Sequence, residues 1–306
     1  MKKLLFPSLI AVLISSASCS GDNSQTPEPP AVVNPDPKPV PGEKIEIRIS
    51  PTFASRATDF GFEMNDCIGL YVVNYDGITP GMLKDTGNHV DNMRFKYSGS
   101  WTPDTPIYWK DEDTHADFYL FYPYKTVGSV SAMPFDVMAD QSGETAYKAS
   151  DMLWGKATDA TPTATAIGIP ASHVMSRIEV KVEAGNGFTR ESLAASNVSV
   201  RVNALQCKST VNIATGTVTP TGDRVNVTPM SKDGAYVAIV VPQTVPEGNL
   251  ITVTVDGQEF NLRKGFTFQG GKNHQFNVIV SKTTNGINVS ISPWEQDGID
   301  NGGTAE

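Results

Sequence analysis

Apolar and polar residues alternate along most of this chain. In "KIEIRIS" the residues Ile45, Ile47 and Ile49 stand two apart, so a strand there carries all three on one face. Runs rich in β-branched and aromatic residues recur between turn signals: "CIGLYVV", "MRFKY", "PIYW", "DFYLFYPY", "SRIEVKVE", "NVSVRVNAL", "STVNI", "AYVAIVV", "LITVTV", "QEFNLR", "HQFNVIV" and "INVSI". Asp256-Gly257 and Asn285-Gly286 join neighbouring runs and accept the positive φ angles of type I′ hairpins. Only "FTRESLAAS" reads as helical, with Thr189 as its cap. "DFYLFYPY" puts Phe118, Leu120 and Tyr122 on one face and Tyr119 and Phe121 on the other, which predicts burial of both faces. Many short strands between glycine and proline turns predict an all-β fold of sandwich type.

A length of 306 residues suits two domains of ~100–150 residues. The small, Thr/Ala-rich stretch "GKATDATPTATAIG" separates an aromatic-rich first half from a valine-rich second half. The expected division is an N-terminal β-sandwich domain over 44–168, a C-terminal one over 169–296 and a flexible tail over 297–306. With 19% charged and 39% hydrophobic residues, the composition fits a folded chain and not a disordered one. The net charge is −9 and no long basic run occurs, so no nucleic-acid partner is expected.

The first 18 residues read as a signal peptide: Lys2 and Lys3, an apolar core over 4–14, then "SSASC". That core is shorter than the ~20 apolar residues that span a bilayer. Cys19 follows "SAS", the small-residue context of a bacterial lipoprotein cysteine, although Ser16 stands where leucine is usual. An ordinary signal peptidase would also accept "SAS", which leaves plain secretion as the alternative. Residues 19–43 hold seven prolines, a semi-extended linker reaching roughly 70 Å at ~3.1 Å per residue. Such a spacer holds a domain away from a membrane. Lipidation at Cys19 leaves Cys67 and Cys207, far apart and expected as buried free thiols. No CxxC or Cys/His spacing occurs, so neither a metal site nor another cofactor is expected.

Catalytic motifs are absent. His89, His115, His173 and His274 sit in no HExxH and beside no GxSxG elbow, and His173 reads as a structural residue where the second half begins. Asp111, Glu112, Asp113 and Asp117 in "KDEDTHADFY" form an acidic cluster. Spaced carboxylates serve Ca²⁺ binding or, as Asp113 with Asp117, a glycosidase pair. A solvated turn before a strand explains the cluster more simply. Trp101, Trp109 and the neighbouring tyrosines offer sugar-stacking rings if exposed and core packing if not. No enzyme is expected. A surface glycan-binding lipoprotein stands as the alternative function.

The ordered blocks "GFEMNDCIGLYVV", "WTPDTPIYW", "ADFYLFYPY", "DMLWG", "IPASHVMSRIEVKV" and "GKNHQFNVIVSKTTNGINVSISPW", with a glycine-rich end, resemble the fimbrillin-like lipoproteins of gut and oral anaerobes. The resemblance implies two tandem transthyretin-like β-sandwich domains. It implies a structural subunit of a type V pilus (stalk, tip or anchor) or a related adhesin, carried to the outer membrane on a lipid anchor and surface-exposed. Its partners would be other pilus subunits and a host or glycan ligand. In the family's stalk subunits a trypsin-like protease cuts after an arginine, and a C-terminal strand of the next subunit fills the groove left by the first strand.

Carried onto this chain, the cleavage candidate is Arg56 in "ASRAT" and the displaced strand holds Ile45, Ile47 and Ile49. The donor candidate is "INVSI", where Ile287, Val289 and Ile291 repeat the same period of two. Two plainer readings stay open. Arg56 also reads as an ordinary loop arginine, and the Asn285-Gly286 turn pairs "INVSI" with "FNVIV" of its own domain.

Overall fold

The computed structural model describes the backbone of residues 44–53, 62–283 and 286–291, and the side chains of 44–52 and 62–282. The first half contributes β1 (Ile49–Phe53), β2 (Cys67–Asn74), β3 (Val90–Tyr97), β4 (Trp101–Pro103), β5 (Ala116–Tyr122) and β6 (Met133–Asp136). The short helix α1 (Glu144–Ala149) leads to β7 (Leu153–Ala160) and β8 (Ile167–His173). Then come β9 (Ser176–Ala184), helix α2 (Arg190–Ala195), β10 (Val198–Asn212), β11 (Thr217–Val227), β12 (Met230–Lys232) and β13 (Ala235–Val240). The chain closes with β14 (Gln243–Val245), β15 (Asn249–Val255), β16 (Gln258–Arg263), β17 (Phe266–Phe268), β18 (Asn273–Thr283) and β19 (Gly286–Ile291).

The protein is all-β. One sheet has seven strands in the order β1-β8-β7-β5-β2-β3-β4. Every neighbouring pair in it is antiparallel except β1 with β8, which is parallel. A second sheet runs β11-β10-β15-β16, a third β12-β13-β9-β18-β19, and β14 pairs with β17. The second sheet also takes β6 from the first half: β15 borders residues 198–202 of β10, and β6 borders residues 208–211.

Burial follows the alternation. On β5, Phe118 and Leu120 enter one apolar cluster while Tyr119 and Phe121 enter another, so the central sheet is covered on both faces as the sequence predicts. The larger cluster joins Tyr71, Val73 and Phe121 to Met133 and Phe135 and onward to Val202, Val211 and Phe260 of the second half. The smaller cluster holds Ile45, Ile47 and Ile49 against Ile68, Leu70, Val72 and Phe118.

The turn chemistry matches expectation at Asp256-Gly257, whose φ angles of 49° and 84° suit a type I′ hairpin between β15 and β16. Thr189 caps α2 with its hydroxyl accepting from the Ser192 amide, and the Ser192 hydroxyl oxygen in turn accepts from the Thr189 amide. Of the Thr/Ala-rich stretch, 155–160 lies in β7 and 167–168 in β8, and Gly155 lets these two strands approach, since a Cβ there would lie 2.6 Å from the Pro170 carbonyl. Two expectations need correction. Cys67 is half-buried, not buried, because it opens β2 at the sheet's end, while Cys207 is buried as expected. The helix α1 was not anticipated.

Candidate functional site

Ile45, Ile47 and Ile49 are 8%, 1% and 6% exposed, so the period of two does place all three in the core. The ribbon that carries them is less regular than the sequence suggests. Residues 45–47 make a single antiparallel bridge, Glu46 opposite Tyr108. The Ile47 amide donates to the Ile107 carbonyl and the Trp109 amide to the Ile45 carbonyl, each at 2.9 Å. At Arg48 the ribbon changes partner. The Ile167 amide donates to the Arg48 carbonyl at 2.8 Å, and from Ile49 onward β1 lies parallel to β8, Ile49 opposite Ile167 and Phe53 opposite Ala171. Regular strand therefore begins at the third isoleucine and runs past it, a correction to the expectation of one strand over the three. The physical reason is the partner switch, which breaks the ladder at Arg48.

The groove that receives these side chains has a wall the sequence already contained. Ile107 and Trp109 are buried and alternate with Tyr108, which is exposed. Ile169 and Ala171 of β8 and Phe118 of β5 complete the surroundings, with the Trp109 and Phe118 rings edge-to-face at 5.5 Å between centroids. "PIYW" carries this alternation in the open, but its partner 60 residues upstream does not show in the sequence. Since β1 is the first strand of its sheet, β8 bonds it from one side and no further strand borders it among the described residues. Arg56 and Cys19 lie outside the described residues. Arg48 is described: its side chain is exposed and pairs with Glu46 at 3.1 Å.

At the other end of the chain, β19 pairs antiparallel with β18, Val278 opposite Ile291 and Thr283 opposite Gly286. "INVSI" thus lies beside "FNVIV" of its own chain, the pairing that the Asn285-Gly286 turn suggests. The side chains of Ile287, Val289 and Ile291, and all of Trp294, lie outside the described residues.

The remaining chemical candidates disperse. Asp111 caps a turn, accepting from the Asp113 and Thr114 amides at 3.0 and 2.5 Å and from the Thr114 hydroxyl at 2.6 Å. Asp113 is exposed on that turn while Asp117 is buried, so the two do not converge as a glycosidase pair. Asp117 instead ties strands together. It accepts from the Tyr75 hydroxyl at 2.9 Å and the Asp159 amide at 3.0 Å, and pairs with Lys156 at 3.2 Å. Burial pulls the Lys156 ammonium down, but its bonds to Tyr119 and Asp117 outweigh this and hold it above its ordinary value. His173, the last residue of β8, faces Asp151 in the link between α1 and β7 at 2.8 Å. Trp109 is core and Trp101 is half-buried against Phe62 at 4.7 Å, so neither presents an open stacking platform. Among the described residues no three of His, Cys, Asp or Glu converge to hold a metal ion.

The sequence matches the fimbrillin-like family profile over residues 55–294, most of the chain. In fold it is similar to a candidate cell-adhesion protein from Bacteroides uniformis, with a TM-score of 0.61 and 21% identity, covering 81% of this chain and 96% of that one. A second candidate cell-adhesion protein, from Bacteroides ovatus, gives a TM-score of 0.61 at 17% identity, covering 82% and 96%. At these identities the likeness speaks for the fold alone. No curated protein matches the sequence. The chain belongs to the fimbrillin-like family.

Proposed function

We propose that this chain is a structural subunit of a bacterial surface pilus, or a related adhesin, that joins its neighbours by β-strand exchange. Family membership supports the coarse role. The observation that carries the mechanism is the first ribbon: three buried isoleucines on a segment that Ile107 and Trp109 bond before Arg48 and that β8 bonds after it, where the ribbon becomes the edge of its sheet. Removing it exposes a groove that loses roughly 1.5–3 kcal/mol per isoleucine, about 5–9 kcal/mol as an upper estimate. Unmade ladder bonds add to the deficit. A replacement strand must offer apolar residues at a period of two, and Ile287, Val289 and Ile291 of another copy have the spacing and nearly the volumes. Such a contact joins two different surfaces and propagates head to tail.

In this reading Cys19 carries the lipid, residues 19–43 form the spacer from the outer membrane, and Arg56 is the cleavage point that frees the ribbon. Two tandem sandwich domains follow, over 44–168 and 169–296, with β8 (Ile167–His173) crossing that division to pair within the first sheet. Donation requires β19 to leave its own β18, so the hairpin opens before or during exchange.

Cleaving the folded protein at Arg56 with a trypsin-like protease is expected to give oligomers that resist SDS. Clean monomer after complete cleavage overturns the strand-exchange role.

A further inference from the structure

Charge is divided unevenly along the chain. Residues 44–168 hold ten lysines and arginines against seventeen aspartates and glutamates, a net of −7. Residues 169–291 hold eleven against eight, a net of +3. An asymmetry of this kind steers one half of a copy toward the opposite half of another.

The acidic half carries an apolar projection. Just after β2, Asp76 and Thr79 exchange two backbone bonds of 2.9 and 3.0 Å, and Gly77 takes a φ of 59°, so the turn between them is tight and pinned. The loop then folds back closely, since a Cβ at Gly81 would strike the Asn74 carbonyl. Ile78 stands on the pinned turn 96% exposed, its β-branched side chain stiff about χ1. The Tyr75 amide donates to the His115 carbonyl at 2.9 Å, which sets the turn beside the exposed run Asp111, Glu112 and Asp113. Asp159, also exposed, pairs with His115 there at 2.6 Å. The tip is thus apolar with acid around it.

The basic half offers the converse. β14 and β17 form a two-stranded ribbon whose outer face is Thr244 and Thr267, both exposed, with their hydroxyls 3.1 Å apart. Gln243, Val245 and Phe268 of the same ribbon are buried. Arg224 reaches the ribbon by donating to the Thr244 carbonyl at 3.1 Å, and the Lys264 ammonium lies 5.7 Å from the centre of the Phe266 ring. Arg263 precedes Lys264, and Lys272 follows the turn after β17. All four cations are exposed, and none forms an ion pair among the described residues. Asp223 and Glu247 are the acids beside them in sequence. Where Pro242 enters β14 and Gly270 leaves β17, an open cleft of about 250 Å³ adjoins the ribbon, lined also by His173, Val174, Gly216 and Val218. Its valines, proline and glycines suit an aliphatic side chain.

We propose that the β14–β17 ribbon and its cleft are a docking surface for the acidic end of a second copy. Ile78 of that copy enters the cleft, and Asp76 and Asp113 beside it face Arg263 and Lys264. Exposed charge pairs are individually weak, so apolar burial holds the contact while charge sets its direction. The contact joins two different surfaces and therefore runs head to tail. It goes beyond strand exchange and leaves the first ribbon in place.

The test uses the full chain with that ribbon uncut, so its outcome is independent of strand exchange. Static light scattering follows the force between copies as salt falls from ~300 to ~20 mM, where screening lengthens from under to over ~10 Å. A net charge of −9 spread evenly repels more strongly at low salt, whereas head-to-tail docking attracts there, so the sign decides. Attraction at low salt that disappears at high salt is expected. Asp76→Lys with Asp113→Lys should abolish self-association, and so should Arg263→Glu with Lys264→Glu. Mixing the two variants should restore it, because each then meets its complement on the other. Ile78→Ser should weaken association about tenfold. Repulsion at low salt in the natural protein overturns the proposal, as does a mixture of the reversed variants that stays apart. Attraction that survives Ile78→Ser and the Asp76 and Asp113 reversal, but vanishes when residues 295–306 are removed, assigns the basic ribbon to the acidic tail and overturns it too. Should a reversed variant fail to fold, the salt response of the natural protein and Ile78→Ser still decide.

Discussion

His274 sits on β18 with its ring edge-on to Phe266 and Phe268, at 5.1 and 5.8 Å, and its Nε2 accepts from the Gln269 amide. Burial favours the neutral ring, the form in which Nε2 can accept that bond, and lowers its pKa. The unfolded chain therefore takes up the proton first, so stability is full above the ordinary histidine value of 6.5 and falls as pH drops below it. Urea unfolding at pH 7.5 and 5.5 is expected to show this loss. His274→Gln keeps an acceptor for Gln269 and should reduce the difference. An unchanged difference in the variant would assign the acid sensitivity to other groups. Cys207 responds in the opposite direction: burial pushes its thiol up to about 11, so it should resist alkylation in the native protein at pH 8 while half-buried Cys67 reacts first.

Among the elements, α2 and α1 have the same length and opposite visibility. Thr189 and Ser192 form a reciprocal cap on α2, and Thr189→Ala should cost about 1 kcal/mol in a thermal or denaturant melt. The N-cap of α1 is Gly143, which offers no side-chain bond, so nothing local announced that helix. Its buried anchor is Tyr147, whose hydroxyl accepts from Arg177 Nε at 3.0 Å across 30 residues of sequence. The same contrast runs through the strands. Asp256-Gly257 encodes its hairpin in two residues, whereas the partner switch at Arg48 depends on β8, more than a hundred residues away. Alternation told which face of residues 45–49 is buried; it could not tell which strand lies alongside. For the groove, the isoleucines were legible and the Ile107/Trp109 wall was not, because its membership is set by a long-range pairing.

At the scale of the whole molecule, the two halves share a core. β6 leaves the first half and extends the second sheet along β10, where the Ser209 hydroxyl donates to the Phe135 carbonyl. Met133 and Phe135 are each 1% exposed within the cluster that also holds Val202, Val211 and Phe260. Phe135→Ala is therefore expected to cost about 3–5 kcal/mol. Hydrogen exchange should accelerate over β10 even though residue 135 belongs to the first half of the sequence. If exchange speeds up only around β6 itself, the halves are energetically separate.

The parallel pairing of β1 with β8 carries a consequence of its own. A parallel ladder has slanted, evenly spaced bonds, so its rim is not the same read forward and backward. β1 is the first strand of the described chain and borders only β8 in its sheet, so departure of the ribbon severs that ladder and the single bridge from Glu46 to Tyr108. A guest that keeps the resident's register on β8 runs parallel to it, as β1 does. Any fibre assembled through that rim inherits an arrow, with each copy pointing the same way from base to free end.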